Sequence, residues 1–199
     1  MRREVIYDEV FDAQLQFRII MDGMAHPGKI KELPSLDIHP PNQLNTGSAL
    51  IGFALLNSDV SFHVSEENST TVSSYIAMNT SAQPKAIESA DFIFIKGYEE
   101  AVCIEEAKKG SLSYPEDSAT FIVDVDQLSD EFFADAVKVS LSGPGVKTQN
   151  TFYVSGIHEE LLNEVKNQNE EFPLGVDLML TDKNCNLICI PRSSQFLIG

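Results

Sequence analysis

Residues Asp91–Lys96 read DFIFIK. In an extended chain successive side chains point to opposite faces, so Phe92 and Phe94 on one face and Ile93 and Ile95 on the other all need cover. A strand of this kind belongs at the centre of a sheet packed on both sides. Other short apolar runs, VSFHV, ATFIVDV, KVSL, TFYVS, VDLML and NLICI, are strand signals of the same length. Helical periodicity separates several of them, and that alternation predicts an α/β fold, a mixed sheet covered by helices. Phe92, Phe94, Phe121, Val123, Leu178 and Leu180 are the expected core. At 199 residues, with no internal repeat and no convincing linker, the whole chain 1–199 is expected to form a single domain.

Local signals place the helices. Ile6, Val10, Phe17, Ile20 and Met24 recur at helical spacing, which predicts an amphipathic helix over residues 4 to 24, closed by His26-Pro27-Gly28. A second helix is expected over Thr46 to Leu56. A third, over Glu99 to Lys109, has lysines in its last turn and Gly110 just beyond. A fourth, over Ile157 to Asn169, carries Leu161, Leu162 and Val165 on one side and starts at a surface His158. VDLMLTDKNCNLICI reads as a hairpin turning at Lys183-Asn184. An even loop there sets Thr181 opposite Asn186 and Asp177 opposite Ile190, making Arg192 a diagonal neighbour of Asp177. Asp177 interrupts an apolar strand, so it is either a buried carboxylate paired with Arg192 or a residue on a wet face.

Charge narrows the partners. The chain holds 14 basic and 30 acidic residues, a net charge of −16, with acids scattered in pairs such as Glu66-Glu67, Glu105-Glu106 and Glu170-Glu171. A surface of that sign repels DNA, RNA, anionic membranes and ATP, so phosphate-driven nucleic-acid binding is excluded. The N-terminus MRREVIYDEV has no apolar leader core, and ALIGFALL and FIFI fall far short of the ~20 residues of a membrane span. A cytoplasmic protein is expected. Three cysteines, Cys103, Cys185 and Cys189, do not make a disulfide framework. On one strand Cys185 and Cys189 would stand ~13 Å apart, beyond the ~7 Å limit for a bridge.

Motifs for chemistry are sparse. LSGPGVKT, Leu141 to Thr148, invites comparison with a phosphate loop, but Leu141 and Val146 stand where a Walker loop requires glycine. Pro144 removes an N–H such a loop would use, and strand signals flank the stretch on both sides where a helix should follow. It reads as a glycine-proline turn between strands. His26, His39, His63 and His158 show no metal-ligand spacing, and neither a CxxC pair nor a G-x-S-x-G elbow is present. No metal is expected. Arginine is scarce: beyond Arg2 and Arg3 there are only Arg18 and Arg192. Arg18 has Asp22 four residues on, an ordinary helical ion pair, and the sharper alternative is that the two interior arginines form a fork for phosphate or phosphonate oxygens.

Six stretches, FDAQLQFRIIMDGMAHPGKI, ALIGFALLNSD, GSLSYPEDSATFIV, LSGPGVKT, FPLGVDLMLTD and IPRSS, in this order and spacing, resemble the PhnH subunits of the bacterial carbon-phosphorus lyase system. The resemblance runs from about Phe11 to Ser194, with Val146 and Ser193 standing where the family often has isoleucine and threonine. It implies a fold similar to that of pyridoxal-phosphate transferases, without the cofactor. It also implies a role, with sister subunits, in joining an alkylphosphonate to the ribose of ATP with release of adenine. The product is a ribose 1-phosphonate 5-triphosphate in phosphonate catabolism. No catalytic residue is carried over. Arg18, Pro27, Gly28, Glu116, Gly143, Gly145, Asp177 and Arg192 match the motifs and are the candidates for binding anion or substrate.

Two classes of function follow. In the first, the chain is an accessory subunit that completes a multisubunit transferase by presenting an interface. In the second it contributes to an active site, Arg18 and Arg192 holding anion while Glu116 or Asp177 supports a sugar hydroxyl or an oxocarbenium-like centre. A stand-alone enzyme keeping pyridoxal phosphate on one of ten lysines is a weaker third class. Sister subunits are the expected partners, ATP and alkylphosphonate the substrates of the assembly, and the isolated chain is expected to be a homodimer.

Overall fold

The computed structural model describes residues 4, 6–65, 69–100 and 102–199. Arg2, Arg3 and the pair Glu66-Glu67 lie outside them. Two sheets form. The larger has seven strands in the order β1-β10-β9-β5-β4-β2-β3, where β1 is Lys31–Glu32, β2 Ser61–Val64, β3 Gln83–Pro84, β4 Phe92–Lys96, β5 Thr120–Asp124, β9 Asp177–Thr181 and β10 Asn186–Ile190. Strands β9, β5, β4, β2 and β3 run parallel, and β10 and β1 add antiparallel pairings at one side. The smaller sheet is antiparallel, in the order β11-β7-β8-β6, with β6 Gln127–Ser129, β7 Val137–Ser142, β8 Asn150–Ser155 and β11 Gln195–Ile198. The expected mixed sheet is therefore joined by a second, antiparallel one.

DFIFIK is β4, between β2 and β5, and its two faces are covered by different layers. Ile93 and Ile95 join Phe121, Val123, Leu178 and Leu180 in a cluster closed by α4 (Val102–Glu106), α5 (Glu159–Gln168) and the second sheet through Val139, Leu141, Phe152 and Val154. Phe94 joins Ile122 and Met179 on the other face, under α1 (Phe11–Ala25), α2 (Thr46–Leu55) and α3 (Ser69–Thr80). The two clusters are the two sides of one sheet. Full burial of each such side chain stabilises by about 1.5–3 kcal/mol. Of the six expected core residues, Phe92 alone is only half-buried, because it opens its strand.

Three sequence expectations shift. Helix α1 begins at Phe11, not near residue 4, because the Asp8 carboxylate accepts the N–H groups of Val10 and Phe11 at 2.8 Å each. Upstream, Glu4 accepts from Tyr75 Oη and the His39 N–H, and Tyr7 packs edge-on to Phe53. This segment is thus laid over α2 and α3 without turning as a helix. The inward face of α1 also differs from the expected one: Gln16, Ile20 and Gly23 are buried, whereas Val10 and Phe17 point outward. Gly23 faces the Cys189 thiol, where a side chain would not fit. Helix α4 spans only Val102–Glu106, so Lys108 and Lys109 lie beyond it, Lys108 bound to Asp91 and Lys109 bridging Ser118.

The hairpin is one residue out of the expected register. Thr181 faces Leu187 and Leu178 faces Ile190, because Cys185 takes a left-handed conformation (φ 62) that adds a residue to the turn. The buried Asp182 carboxylate holds that turn by accepting from the N–H groups of Asn184, Asn186 and Leu128. No helix among the described residues is long and apolar enough to cross a membrane.

Candidate functional site

Asp177 starts β9 and Arg192 follows β10 by two residues, so the hairpin brings them to one end of the sheet. The expected diagonal placement fails with the register, yet the pair forms, because Pro191 ends the strand and the chain turns back over Asp177. The Arg192 backbone N–H donates to Asp177 Oδ1 at 2.7 Å, Nε to the same oxygen at 3.2 Å, and Nη2 to Oδ2. Nη1 donates to the Pro115 carbonyl at 2.6 Å, tying in the loop that carries Glu116. Side-chain exposure is 17% for Arg192 and 12% for Asp177. With its charge cancelled by a bidentate carboxylate and three of its five N–H groups engaged, Arg192 is a poor anion fork.

The glycine-proline turn packs beside this node. Gly143 (φ 120) lies against the Ser193 carbonyl, and Gly145 (φ 80) against the Ala25 carbonyl and the Pro27 ring at the end of α1. Pro27 in turn accepts from Asn150 Nδ2 at 2.7 Å, and the Gly28 N–H donates to the Cys189 carbonyl. Four stretches distant in sequence thus meet: His26-Pro27-Gly28, the turn of LSGPGVKT, the Pro115 loop and Pro191-Arg192-Ser193-Ser194. The turn joins β7 to β8, as the sequence predicts, and the Val146 N–H is taken by the Gly143 carbonyl. Glu116 is exposed on a 3-10 turn, Pro115–Asp117, and makes no hydrogen bond with a described residue. Arg18 stands apart from this cluster: it is exposed on α1 and has no ionic partner among the described residues, because Asp22 binds His26 and Lys31 instead.

Arg192 also forms part of the wall of a cavity of about 660 Å³ between the second sheet and the C-terminal end of α5. Ser140, Ser142, Gln149, Lys166, Glu170, Phe172, Ser193, Gln195 and Phe196 are among its lining residues. The charge of Arg192 is offset by Asp177.

A second polar cluster, with no sign in the sequence pattern, sits at the carboxyl ends of the parallel strands, the usual ligand edge of an open α/β sheet. Asp124, buried at the end of β5, accepts from Lys96 Nζ at 2.7 Å, the Asn45 N–H at 2.9 Å and Ser48 Oγ. Every oxygen is bonded, and the crevice beside the cluster is only about 20 Å³. The network ties the start of α2 to the sheet. Burial, with smaller contributions from Glu99 and Asp177 respectively, pushes the Cys103 and Cys189 thiols up to about 12, so neither supplies a thiolate nucleophile near neutrality. Among the described residues no three His, Cys, Asp or Glu side chains are grouped to hold a metal ion.

Comparison with known proteins matches the sequence to one family. Residues 5–196 match the model of the bacterial phosphonate metabolism protein PhnH. The alpha-D-ribose 1-methylphosphonate 5-triphosphate synthase subunit PhnH of Rhizobium meliloti is 28% identical over 190 residues, covering 94% of this chain and 92% of that protein. A candidate C-P lyase subunit protein of Stutzerimonas stutzeri, HtxG, is 25% identical over 182 residues, covering 92% of this chain and 84% of its own. With a family model matched over nearly the whole chain, the protein belongs to the PhnH family of bacterial phosphonate metabolism proteins.

Proposed function

We propose that the chain is an accessory subunit of a cytoplasmic multisubunit transferase that couples an alkylphosphonate to the ribose of ATP with release of adenine, and that its contribution is an interface. The observation that carries this reading is the outer face of α1. Val10, Phe11, Leu15, Phe17 and Met21 are 46–75% exposed along one helix, a contiguous apolar surface of a kind that marks protein contact. Arg18 lies within that face and is free to meet a partner's carboxylate. The names of the two relatives support sister subunits as the partners. Before assembly the same face serves a homodimer. The fold is a single domain akin to the pyridoxal-phosphate transferases, a kinship supported by the seven-stranded mixed sheet with helices on both faces.

Among the described residues the two interior arginines make no triphosphate clamp: one is spent on Asp177, the other stands alone, and the net charge is −16. Calorimetry at low salt is expected to give the isolated chain a Kd for ATP of about 1 mM or weaker (~4 kcal/mol of binding free energy). A micromolar constant would instead favour the second reading, in which this chain contributes substrate-binding residues around Arg192, Asp177, Glu116, Gly143 and Gly145. The cavity beside Arg192 is the observation in favour of that reading.

A further inference from the structure

We propose that the free edge of β11 takes an extended, basic segment of a partner polypeptide as a further strand of the smaller sheet. Strand β11 is the end of the order β11-β7-β8-β6 and pairs only with β7. Gly199 and Lys138 exchange both backbone hydrogen bonds, at 3.0 and 3.2 Å. Bonded pairs alternate along an antiparallel ladder, so Leu197–Ser140 and Gln195–Ser142 are the next two. The N–H and C=O groups of Phe196 and Ile198 therefore point away from β7, and no described residue takes them. Two donors and two acceptors repeating every second residue match the edge of another strand.

Nothing blunts this edge. Its sequence, QFLI, has neither the proline nor the lysine that protects an exposed strand. At the opposite end of the sheet, by contrast, the outward Leu128 N–H of β6 is taken by Asp182 at 3.1 Å. The cavity of about 660 Å³ runs along Gln195, Phe196 and Leu197, which leaves space beside the edge. Ser194 Oγ, on the same wall, is buried and without a partner among the described residues. Leu197 and Phe172, 66% and 63% exposed, offer apolar contacts to side chains of the added strand. Charge sets the rest of its composition. Glu170 on the wall and Glu171 beside it are exposed, with Lys166 opposing them, and the whole chain carries −16. A segment that alternates apolar and basic residues suits both features. This surface is separate from the outer face of α1, and the proposal does not rest on assembly there.

The test is amide NMR on the full, isotope-labelled chain, titrated with a synthetic peptide of alternating lysine and valine. The control is the same peptide N-methylated throughout, equal in charge but unable to donate from its backbone. The first peptide is expected to bind saturably and to slow exchange of the Phe196 and Ile198 amides about tenfold or more, leaving Gln195 and Leu197, already bonded to β7, unchanged. The control should do neither. Ile198→Pro removes an outward N–H and no ladder bond, and should weaken the peptide about tenfold. If that variant fails to fold, the alternating exchange pattern of the wild-type chain decides alone. Equal binding of the two peptides, as charge alone would give, overturns the proposal, as does absence of binding. So does protection of Phe196 and Ile198 that grows with protein concentration before peptide is added, which a second copy of the chain would give. Loss of assembly through α1 changes none of these readings.

Discussion

Arg192→Ala is expected to destabilise the folded chain by ~3 kcal/mol or more, a melting shift of ~6–12 °C for a chain of this length. Removing the guanidinium strands the mostly buried Asp177 carboxylate, which keeps only the backbone N–H of residue 192, and frees the Pro115 carbonyl. Against a total stability of 5–15 kcal/mol that is a large fraction. Turnover of the reconstituted assembly should then fall only as far as the folded fraction falls. The opposite pattern, a stability change under ~1 kcal/mol with collapse of turnover, is what an open anion site would give. Denaturant melts of the mutant chain set beside turnover of the assembly separate the two.

The second large effect is at Gly145. Its φ of 80 costs an L-residue about 1–2 kcal/mol, and an added Cβ would press into the Ala25 carbonyl and lie 2.8 Å from Pro27 Cδ. A backbone carbonyl at a helix end and a proline ring cannot swing aside as a flexible side chain would, so overpacking adds roughly 1–3 kcal/mol. Gly145→Ala should therefore lose about 3 kcal/mol in urea melts and loosen the contact between the turn and α1. A loss below ~1 kcal/mol would mean that the turn floats free of the helix. In that case the gathering of motif stretches at this end would not be a packed unit.

Much of the fold is legible in the sequence because burial imposes period. The six apolar runs and β4 become strands since each places residues against two covered faces, and Thr46–Leu55 and Glu159–Gln168 match their patterns closely. What escapes is set by tertiary context. The hairpin register turns on Cys185, a non-glycine residue at positive φ that no propensity marks. Nothing in STTVSSYIAMNT, rich in β-branched and polar residues, advertises α3. The exposed apolar face of α1 defeats the rule that the hydrophobic stripe of a helix turns inward, and the misassigned Val10 and Phe17 are part of the surface that supports a partner.

The candidate site divides in the same way. The Asp177–Arg192 pair can be anticipated because a lone acid on an apolar strand needs a counter-charge, though it forms beyond the strand end and not by cross-strand register. The role of Pro115 as an acceptor leaves no trace, since any residue supplies a carbonyl. The Lys96–Asp124–Ser48 network is equally invisible, its three members lying in separate elements that only the sheet order brings together.

Assembly through α1 is tested most directly by co-expression of the chain with candidate sister subunits, followed by size-exclusion chromatography. The wild-type chain should co-elute with them in one high-mass peak, and Phe17→Glu combined with Met21→Glu should release it into a separate, later peak while leaving it folded. A wild-type chain that elutes alone, or a double variant that stays in the complex undiminished, would contradict the account.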